Sequence, residues 1–426
     1  MDRTAQRSQQ TEAARRPGVL RRLGVGLLVF AAALLALIST LPVWLLFVWT
    51  ATPVLVAAGL AALDIGIFYW MLRFARGPLP VLGGLVALVA VSALAVFVSQ
   101  ATASTPAPRQ PGGIATLEQV ELGGTPQWIT VRGSSLDNPV LLFLSGGPGG
   151  SELAWTRQYL GGLEDHFIVV NWDQPGTGKS YGAFDISSLT PERYVSDAYE
   201  LTQILRERFG QDKIYVLGES WGTILGTWLV QRHPELFHAY IASAQMVYTV
   251  RDDVMGYEFA IDYAEQDGNT ALVEDLRRTG PPPYADFWTY AGYLNVLNSY
   301  MYAHADGEGG GDNRLFDVLT APEYGLLDKV NWVLGLEQVF EQVYPLLGEI
   351  DFPATVTALE VPVYFLEGRW DVNAFASLVE EYYAVLEAPH KELIWFENSG
   401  HTPLYEEPNR FVDVLVNTVL AQTQPE

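Results

Sequence analysis

Residues 23–100 of the chain are almost entirely apolar. Between residues 23 and 72 the only charged residue is Asp64, and a second uncharged run covers residues 77–100. Neither run has the periodic polar face of an amphipathic helix, and a helix needs about 20 apolar residues to span a bilayer. The pattern therefore predicts three transmembrane helices, near residues 21–40, 52–72 and 79–99, with Pro42 and Pro53 marking the join of the first two.

Two other interpretations of this region are less favoured. A cleaved signal peptide would explain the first apolar run, but two further runs follow it and no clear small-residue cleavage site is present. A long helical hairpin buried in a soluble core is the second alternative, and the lack of amphipathic patterning argues against it.

Arginines indicate how the three helices are oriented. They lie before the first helix and between the second and the third, whereas the loop near 41–52 has no charge: Arg15, Arg16, Arg21, Arg22, Arg73 and Arg76. Because basic loops stay in the cytoplasm, we expect a multi-pass protein of the cell membrane. Its N-terminus would be cytoplasmic and its large C-terminal domain extracytoplasmic.

Asp64 is unusual within this segment. A carboxylate at membrane depth is costly, so a functional role is one explanation. With no second ionisable partner in the predicted helices, a side chain that snorkels or forms a local hydrogen bond is the favoured one.

Short apolar runs alternate with helical patterns after a Pro/Ala/Ser/Gly-rich tether at 101–113, which we expect to be semi-extended. The predicted strands are 127–133, 140–146, 167–173, 213–219, 238–244, 361–368 and 391–398, and the predicted helices are 190–209, 221–232 and 408–421. Strands that are apolar throughout are typical of a parallel sheet covered on both faces. The fold class is therefore α/β, with an open and mostly parallel sheet.

The alternation stops between residues 246 and 357. This insertion has helical patterns, many aromatic residues, 19 acids against 5 bases and a Gly/Asp loop at 306–313, so we interpret it as a lid over the site. The predicted organisation is a membrane segment, a linker, the first part of the core, the lid and the second part of the core: 1–100, 101–113, 114–245, 246–357 and 358–426.

Charge and cysteine content exclude several classes of protein. Up to Gln100 the chain has eight arginines and three acids, so this part is positively charged. The residues after Gln100 are therefore more negative in sum than the whole chain, whose net charge is −24. Nucleic acid is an unlikely partner for such an acidic surface, because phosphate contacts need clustered Lys and Arg. The absence of cysteine excludes disulfides, thiolate metal sites and a cysteine nucleophile.

One predicted strand runs directly into a G-x-S-x-G motif, residues 218–222, which is followed by a helical pattern. A sharp strand-to-helix turn needs glycines on both sides of an exposed serine, and it places Ser220 at the positive end of a helix. An ordinary glycine-rich turn is the alternative. The context favours Ser220 as a nucleophile, with the backbone N–H of Trp221 as one oxyanion donor.

A serine nucleophile needs a base and an acid that orients it. Of six histidines, His401 follows the last predicted strand in a loop of small residues, which fits the chain order serine, acid, histidine. Asp371 lies in the loop after the preceding strand, and Glu367, within that strand, is the reserve. A second oxyanion donor should come from the glycine-rich loop 144–151.

The motifs SGGPGG, DQPGTGKS, GESWG, GRWD and SGHTP occur in this order. Together they resemble an α/β-hydrolase of the prolyl aminopeptidase (proline iminopeptidase) type over about residues 115–422. The resemblance implies that the amide of Gly147 is the second oxyanion donor and that an N-terminal residue, often proline, is released from peptides. It also implies lid carboxylates that bind the substrate ammonium, for which Glu258 and Glu337 are the candidates.

The chain departs from the family pattern at two positions. Ser145 stands where the family has a histidine in HGGPG, and Pro175 replaces the arginine of DQRG. The support that the histidine gives to the loop must therefore come from another group.

The stretch NWDQPGTGKS ends like a phosphate-binding loop, but the first glycine of that motif would have to stand at Asp173. A carboxylate there repels phosphate, so no nucleotide is expected. We interpret the stretch as a turn in which Asp173 accepts hydrogen bonds from backbone amides and braces the neighbouring glycine-rich loop.

The sequence thus predicts a membrane-anchored serine hydrolase without a metal or an organic cofactor, acting on a peptide or an ester. An aminopeptidase is preferred because the acidic lid would attract a cationic amino terminus. A carboxylesterase or lipid hydrolase, and a non-catalytic sensor with a hydrolase-like domain, are the alternatives. The oligomeric state stays open.

Overall fold

The computed structural model of the chain describes residues 16–284, 286–305 and 314–424. The chain divides into two compact units, with the division between Ala103 and Ser104. The Gly/Asp stretch 306–313, expected to be a loop in the lid, lies outside the described residues.

The first unit consists of three helices. They are α1 Arg16–Trp49, α2 Val54–Phe74 and α3 Pro78–Thr102. Each contains a segment of at least 21 residues with a mean hydropathy of 1.9 or more, which is long and apolar enough to cross a membrane. The prediction of three such helices is confirmed.

Helix α1 differs from the sequence prediction at its end. It continues through Pro42 to Trp49, whereas the prediction ended it near residue 40. A proline in a helix removes one backbone hydrogen bond, but apolar helices that pack on neighbours tolerate this loss. The turn to α2 comes later, at Pro53, which caps the second helix.

Packing in the first unit combines small residues buried between the helices with large apolar residues on the outside. Small residues such as Ala57, Gly84 and Ala95 are buried between the helices, while large side chains such as Leu55 and Leu72 point outward. Small residues at such positions let helix backbones approach one another closely.

The second unit is built on an eight-stranded sheet. Its strands are β1 Ile114–Leu122, β2 Thr125–Gly133, β3 Val140–Leu144, β4 Ile168–Asp173, β5 Ile214–Glu219, β6 Phe237–Ser243, β7 Val363–Gly368 and β8 Lys391–Phe396. The order across the sheet is β1-β2-β4-β3-β5-β6-β7-β8. The pairs β1–β2 and β2–β4 are antiparallel and all the others are parallel, so the predicted mostly parallel sheet is confirmed.

Strand β1 is the one strand of this sheet that the sequence analysis missed. It forms a hairpin with β2 through Gly123 and Gly124, both at positive φ. Its sequence IATLEQVEL mixes polar and apolar residues because β1 is an edge strand whose side chains are mostly half-buried. Such a strand lacks the continuous apolar run that revealed the others.

Helices cover both faces of the sheet. Beyond the first unit, those of seven residues or more are α4 Leu153–Tyr159, α5 Pro191–Phe209, α6 Trp221–Arg232, α7 Thr249–Gln266, α8 Thr270–Thr279, α9 Phe287–His304, α10 Arg314–Thr320, α11 Leu326–Val343, α12 Ala376–Val385 and α13 Pro408–Val414. Alternate residues of β3 are buried in opposite layers, with Leu142 and Leu144 on one face and Leu141 and Phe143 on the other. This double burial explains the apolar runs.

The predicted lid region between β6 and β7 contains helices α7 to α11. Aromatic side chains dominate its contact with the core: Tyr290, Tyr293, Phe340 and Tyr344 belong to the same buried cluster as the strand residues of one sheet face. The lid therefore packs as part of the hydrolase unit.

The start of the second unit is more ordered than the tether expected from its composition. Ser104 donates its N–H to the carbonyl of Pro322, 3.1 Å away. Thr105 donates to Glu323 (3.0 Å), and the guanidinium of Arg132 donates to Thr105 and to the carbonyl of Pro106. Residues 104–106 are thus held in place by buried charged groups, which composition alone does not reveal.

Candidate active site

Ser220 lies in a sharp turn between β5 and α6. Its backbone is in the left-handed region, at φ 49°, and its N–H donates to the carbonyl of Ser243. A Cβ atom on Gly222 would lie 1.9 Å from the carbonyl oxygen of Leu144, and one on Gly218 would lie 2.5 Å from the carbonyl oxygen of Gly222. Both glycines of the motif are therefore required by close backbone contacts, as the strand-to-helix turn implied.

Three side chains predicted to work together meet at the carboxyl end of the sheet. His401 Nε2 is 2.9 Å from Ser220 Oγ, and His401 Nδ1 is 2.8 Å from Asp371 Oδ2. Ser220 follows β5, Asp371 lies in the loop after β7, and His401 lies in the loop after β8. Loops that leave parallel strands at one edge bring residues distant in sequence together.

The loop after β7 fixes the carboxylate of Asp371. Its Oδ1 accepts hydrogen bonds from the backbone N–H groups of Asn373 (2.8 Å) and Ala374 (3.0 Å), which leaves Oδ2 for the imidazole. Glu367, the reserve candidate, is directed elsewhere: it is fully buried in β7 and accepts from the N–H of Gln245. Burial, with the charges of Asp371 and Asp252, raises the pKa of Glu367 well above its usual value.

Two opposing effects act on the pKa of His401. Burial of the ring disfavours protonation, because its side chain is only 14% exposed. The charge of Asp371 and its hydrogen bond favour the imidazolium, and the charge of Glu406 adds to them. The net effect raises the pKa of His401 above 6.5, which suits a group that accepts a proton from a hydroxyl.

Gly147 and Trp221, the two expected oxyanion donors, line the same cavity as Ser220. Trp221 is the first residue of α6, so its N–H has no partner within the helix. Gln174 links α6 to the glycine-rich loop that contains Gly147. It accepts a hydrogen bond from the indole of Trp221 (3.0 Å) and donates one to the carbonyl of Ser145 (3.3 Å).

Asp173 braces the turn after β4 and links it to the lid. Its carboxylate accepts hydrogen bonds from the backbone N–H of Lys179 and from the hydroxyls of Ser151 and Tyr324. Lys179 itself pairs with Asp328 of α11 at 2.8 Å. The structural role expected for Asp173 therefore extends to the glycine-rich loop and to the lid.

A group of buried acids behind the glycine-rich loop was missed by the sequence analysis. Glu152 accepts from the N–H of Gly146 at 3.0 Å, and a Cβ atom on Gly146 would lie 2.1 Å from Glu219 Oε2. The two carboxyl groups thus enclose the residue before Gly147. The signal available in the sequence was Glu219 itself, an acidic residue at the end of an apolar strand.

The charge state of this group follows from burial. Desolvation raises the pKa of Glu152 to about 7, and desolvation together with the charge of Glu152 raises the pKa of Glu219 well above its usual value. Arg314 lies 3.6 Å from Glu406 and provides the positive charge of the group.

Ser145 stands where the family has a histidine, and its hydroxyl accepts the N–H of Glu152 at 3.3 Å. In this chain, Ser145 and Glu152 therefore hold the two ends of the loop together through hydrogen bonds. These hydrogen bonds support the loop in a chain that lacks the family's histidine at this position.

The cavity above Ser220 has a volume of about 140 Å³ and mostly apolar walls. Its lining residues are Gly147, Pro148, Ser220, Trp221, Ile224, Met246, Phe287, Tyr290, Leu294, Leu336, Phe340, Tyr344, Leu347 and Asn373. No charged side chain belongs to this lining within the described residues.

The two glutamates suggested as ammonium ligands lie away from this lining. Glu258 is exposed on α7. Glu337 on α11 accepts a hydrogen bond from the indole of Trp288, which is itself exposed. Neither glutamate is among the described residues that form the cavity wall.

A lid carboxylate that does connect to the cavity is Asp253 of α7. It accepts hydrogen bonds from the hydroxyls of Tyr290 (3.2 Å) and Tyr344 (2.9 Å), both of which line the cavity. Desolvation raises the pKa of Asp253 to about 7. Sequence reasoning missed this residue because nothing in the local pattern separates it from the other acids of the lid.

Comparisons with known proteins agree with this architecture. Residues 139–283 match the family described as having an alpha/beta hydrolase fold. The chain is 32% identical over 307 residues to the probable aminopeptidase YbaC of Bacillus subtilis, covering 71% of this chain and 95% of that protein. It is 26% identical over 302 residues to the proline iminopeptidase of Saccharolobus solfataricus, covering 67% and 85% respectively.

The solved structure of the proline iminopeptidase of Mycobacterium smegmatis has the same fold. It superposes with a TM-score of 0.51 at 19% identity and covers 72% of this chain and 98% of that one. Fold, motif order and the long match to an aminopeptidase agree, and the chain therefore belongs to the α/β-hydrolase family, among the proteins similar to proline iminopeptidases.

Proposed function

We propose that this protein is a membrane-anchored serine aminopeptidase that releases N-terminal residues from peptides through an acyl-enzyme. The observation that carries the proposal is the continuous chain of contacts from Ser220 through His401 to Asp371, with distances of 2.9 and 2.8 Å. These are the distances at which a base takes up a hydroxyl proton and an acid orients the base.

In the proposed reaction, Ser220 Oγ attacks the carbonyl carbon of the first peptide bond while His401 Nε2 takes its proton. The carboxylate of Asp371 holds the ring and stabilises the imidazolium, and the N–H groups of Gly147 and Trp221 stabilise the oxyanion. His401 then gives the proton to the leaving amine. Water, deprotonated by His401, cleaves the ester and restores Ser220.

The cavity supports a substrate with an apolar N-terminal side chain. Its aromatic and aliphatic walls, including Phe287, Leu294 and Phe340, suit a compact residue such as proline. The buried carboxyl of Asp253, linked to the cavity by two tyrosine hydroxyls, is the lid acid that we assign to the substrate ammonium.

Anchoring in the membrane is supported by the three apolar helices, and orientation by the arginines before α1 and between α2 and α3. The hydrolase domain would then lie on the extracytoplasmic side. Alkaline phosphatase fused after residue 113 should be active, and a fusion after Arg76 should be inactive. The reverse pattern would contradict this topology.

Covalent labelling tests the nucleophile. A fluorophosphonate probe should label the wild-type protein and fail to label Ser220→Ala. Ser243→Ala, which removes a buried hydroxyl without a hydrogen-bond partner among the described residues, is the matched control and should be labelled normally. A wild-type protein that resists the probe would indicate a non-catalytic sensor.

The choice between peptide and ester rests on the amino group. Hydrolysis of aminoacyl-β-naphthylamides should fall when the amine is blocked by acetylation. Equal rates with free and blocked amines would instead support a carboxylesterase, the alternative favoured by the uncharged cavity wall.

A further inference from the structure

Asp64 occupies the centre of the membrane segment. It is the eleventh of the 21 residues of α2, so about 15 Å of helix lies on either side of it. The residue is 2% exposed, and neither carboxyl oxygen has a hydrogen-bond partner among the residues that the structure describes. The snorkelling or locally bonded side chain favoured by the sequence is therefore not what the structure contains.

Asp64 is one of the residues that line a cavity of about 350 Å³ between α1 and α2. Three aromatic side chains share the wall with it: Trp44 from α1 and Phe68 and Tyr69 from α2. Thr40 is the other polar residue of α1 at the wall, but its hydroxyl donates to the carbonyl of Leu37 at 2.8 Å. The hydroxyl proton is thus already used within its own helix.

The lining selects one class of ligand. A buried carboxylate requires a partner of positive charge, and aromatic faces attract cations, alkylammonium groups above all. A bare metal ion would need several further oxygen ligands, which a single carboxylate with the hydroxyls of Thr40 and Tyr69 does not provide. An ammonium head on an apolar chain satisfies the acid and the rings and leaves the chain in contact with lipid.

Entry of such a molecule is electrically neutral overall. A neutral amine that meets a protonated carboxyl group yields an ammonium–carboxylate pair by moving one proton from oxygen to nitrogen, and no net charge has to cross the bilayer. The ion pair then forms within the protein, where the aromatic rings replace water around the cation.

From the unpartnered carboxyl group and its aromatic surroundings, we propose that the cavity around Asp64 is a binding site for lipophilic amines. This function is separate from the hydrolase activity of the second unit, and it gives the membrane segment a role beyond anchoring. The ligand class is an amphiphile with a protonated primary or tertiary amine and an alkyl chain.

Photoaffinity labelling in lipid nanodiscs tests this site with the full chain. The probe is dodecylamine with a diazirine in its chain, and its neutral control is the matching dodecanol. We expect saturable labelling of peptides from α1 and α2 that unlabelled dodecylamine displaces. Asp64→Asn should lower it by about tenfold or more, which corresponds to about 1.4 kcal/mol, and Asp64→Glu should retain most of it.

The aromatic contribution has a matched control. Trp44→Leu should weaken labelling by the amine, whereas Trp70→Leu should leave it unchanged, because Trp70 is similarly exposed but lies outside this cavity. Fluorophosphonate labelling of the same samples reports whether the hydrolase unit is intact, independently of the amine site. Equal labelling of wild type and Asp64→Asn, or equal labelling by amine and alcohol probes, would overturn the proposal.

Discussion

The sheet edge, formed by the carboxyl ends of the strands, and the lid both surround Ser220. The sequence specifies the structures of these two regions in different ways. At the sheet edge, Ser220, Asp371 and His401 each follow a strand within a few residues, and backbone hydrogen bonds hold Ser220 and Asp371 in place. In the lid, Tyr290 and Tyr344 take their positions from packing and from a hydrogen bond to Asp253 on another helix. We conclude that local rules of strand and turn place the groups proposed to react, whereas tertiary contacts place the groups that would meet the substrate.

The largest effect should come from the sheet edge. Asp371→Asn should lower kcat on the order of 10⁴-fold, because the imidazole loses the carboxylate that orients it. Glu367→Gln, at an acid of the preceding strand β7, is the matched control, and it should change kcat by less than about tenfold, since Glu367 is directed at Gln245. Steady-state hydrolysis of a naphthylamide measures both, and the opposite ranking would move the acid to Glu367.

A smaller loss is expected where the two regions join. Asp173→Ala removes the acceptor for three hydrogen bonds, among them that of Tyr324 in the lid. The free energy of unfolding should fall by about 1–3 kcal/mol, the cost of leaving buried donors unpaired. Tyr324→Phe, which removes only the lid contact, should cost less in the same urea titration. Equal losses would place all of the stabilisation on the lid side.

Within the lid, Asp253→Asn should raise KM for a free-amine naphthylamide by roughly tenfold, about 1.4 kcal/mol, without affecting the blocked substrate. Glu258→Gln is exposed and should leave KM unchanged. If Glu258→Gln has the larger effect, the exposed acids named from the sequence bind the ammonium after all, and the contrast between edge and lid weakens.

Asp253 also links the stability of the fold to pH. Because burial raises its pKa from 3.8 to about 7, the folded state holds the proton more tightly than the unfolded chain between those values. The stability contributed by this group is therefore present at low pH and is lost as pH rises towards 7, by ~1.4 kcal/mol per pH unit at most. The free energy of unfolding of wild type and Asp253→Asn can be measured at about pH 4.5 and about pH 7.5, ~3 units apart. Between these two pH values it should fall more steeply in wild type than in Asp253→Asn.

The smallest effect concerns the acid limb of the pH profile. His401 has to be neutral to accept a proton, and Asp371 raises its pKa above 6.5. The midpoint of kcat/KM against pH should therefore lie above 6.5 in wild type. In Asp371→Asn the midpoint should move to lower pH, and an unchanged midpoint would mean that another group titrates.

The sequence analysis succeeded where a physical rule acts over a few neighbouring residues. Apolar runs predicted seven of the eight strands, and chain order identified Ser220, Asp371 and His401 as a group that the structure brings together. It failed where the deciding contact lies far away in sequence. Asp253 could not be separated from other lid acids, and Glu152 and Glu219 meet only because two loops fold around Gly146.

The first unit, with its three apolar helices, gives the same lesson. Hydropathy located three helices, but the pattern could not tell that α1 continues through Pro42 or that Asp64 is buried without a partner, because both depend on how neighbouring helices pack. Strand β1 was missed for a related reason: an edge strand keeps polar side chains that a central strand would exclude.

The ordered start of the hydrolase unit has a practical consequence for expressing it alone. Thr105 and the carbonyl of Pro106 satisfy the buried guanidinium of Arg132, and Thr105 also satisfies Glu323. A truncated protein that begins at residue 114, where composition places the domain start, would remove both acceptors of Arg132 Nη1 and one donor to Glu323, and would keep the ion pairs Arg132–Glu164 and Arg157–Glu323. A shortened form that keeps all of these hydrogen bonds therefore begins no later than Ser104.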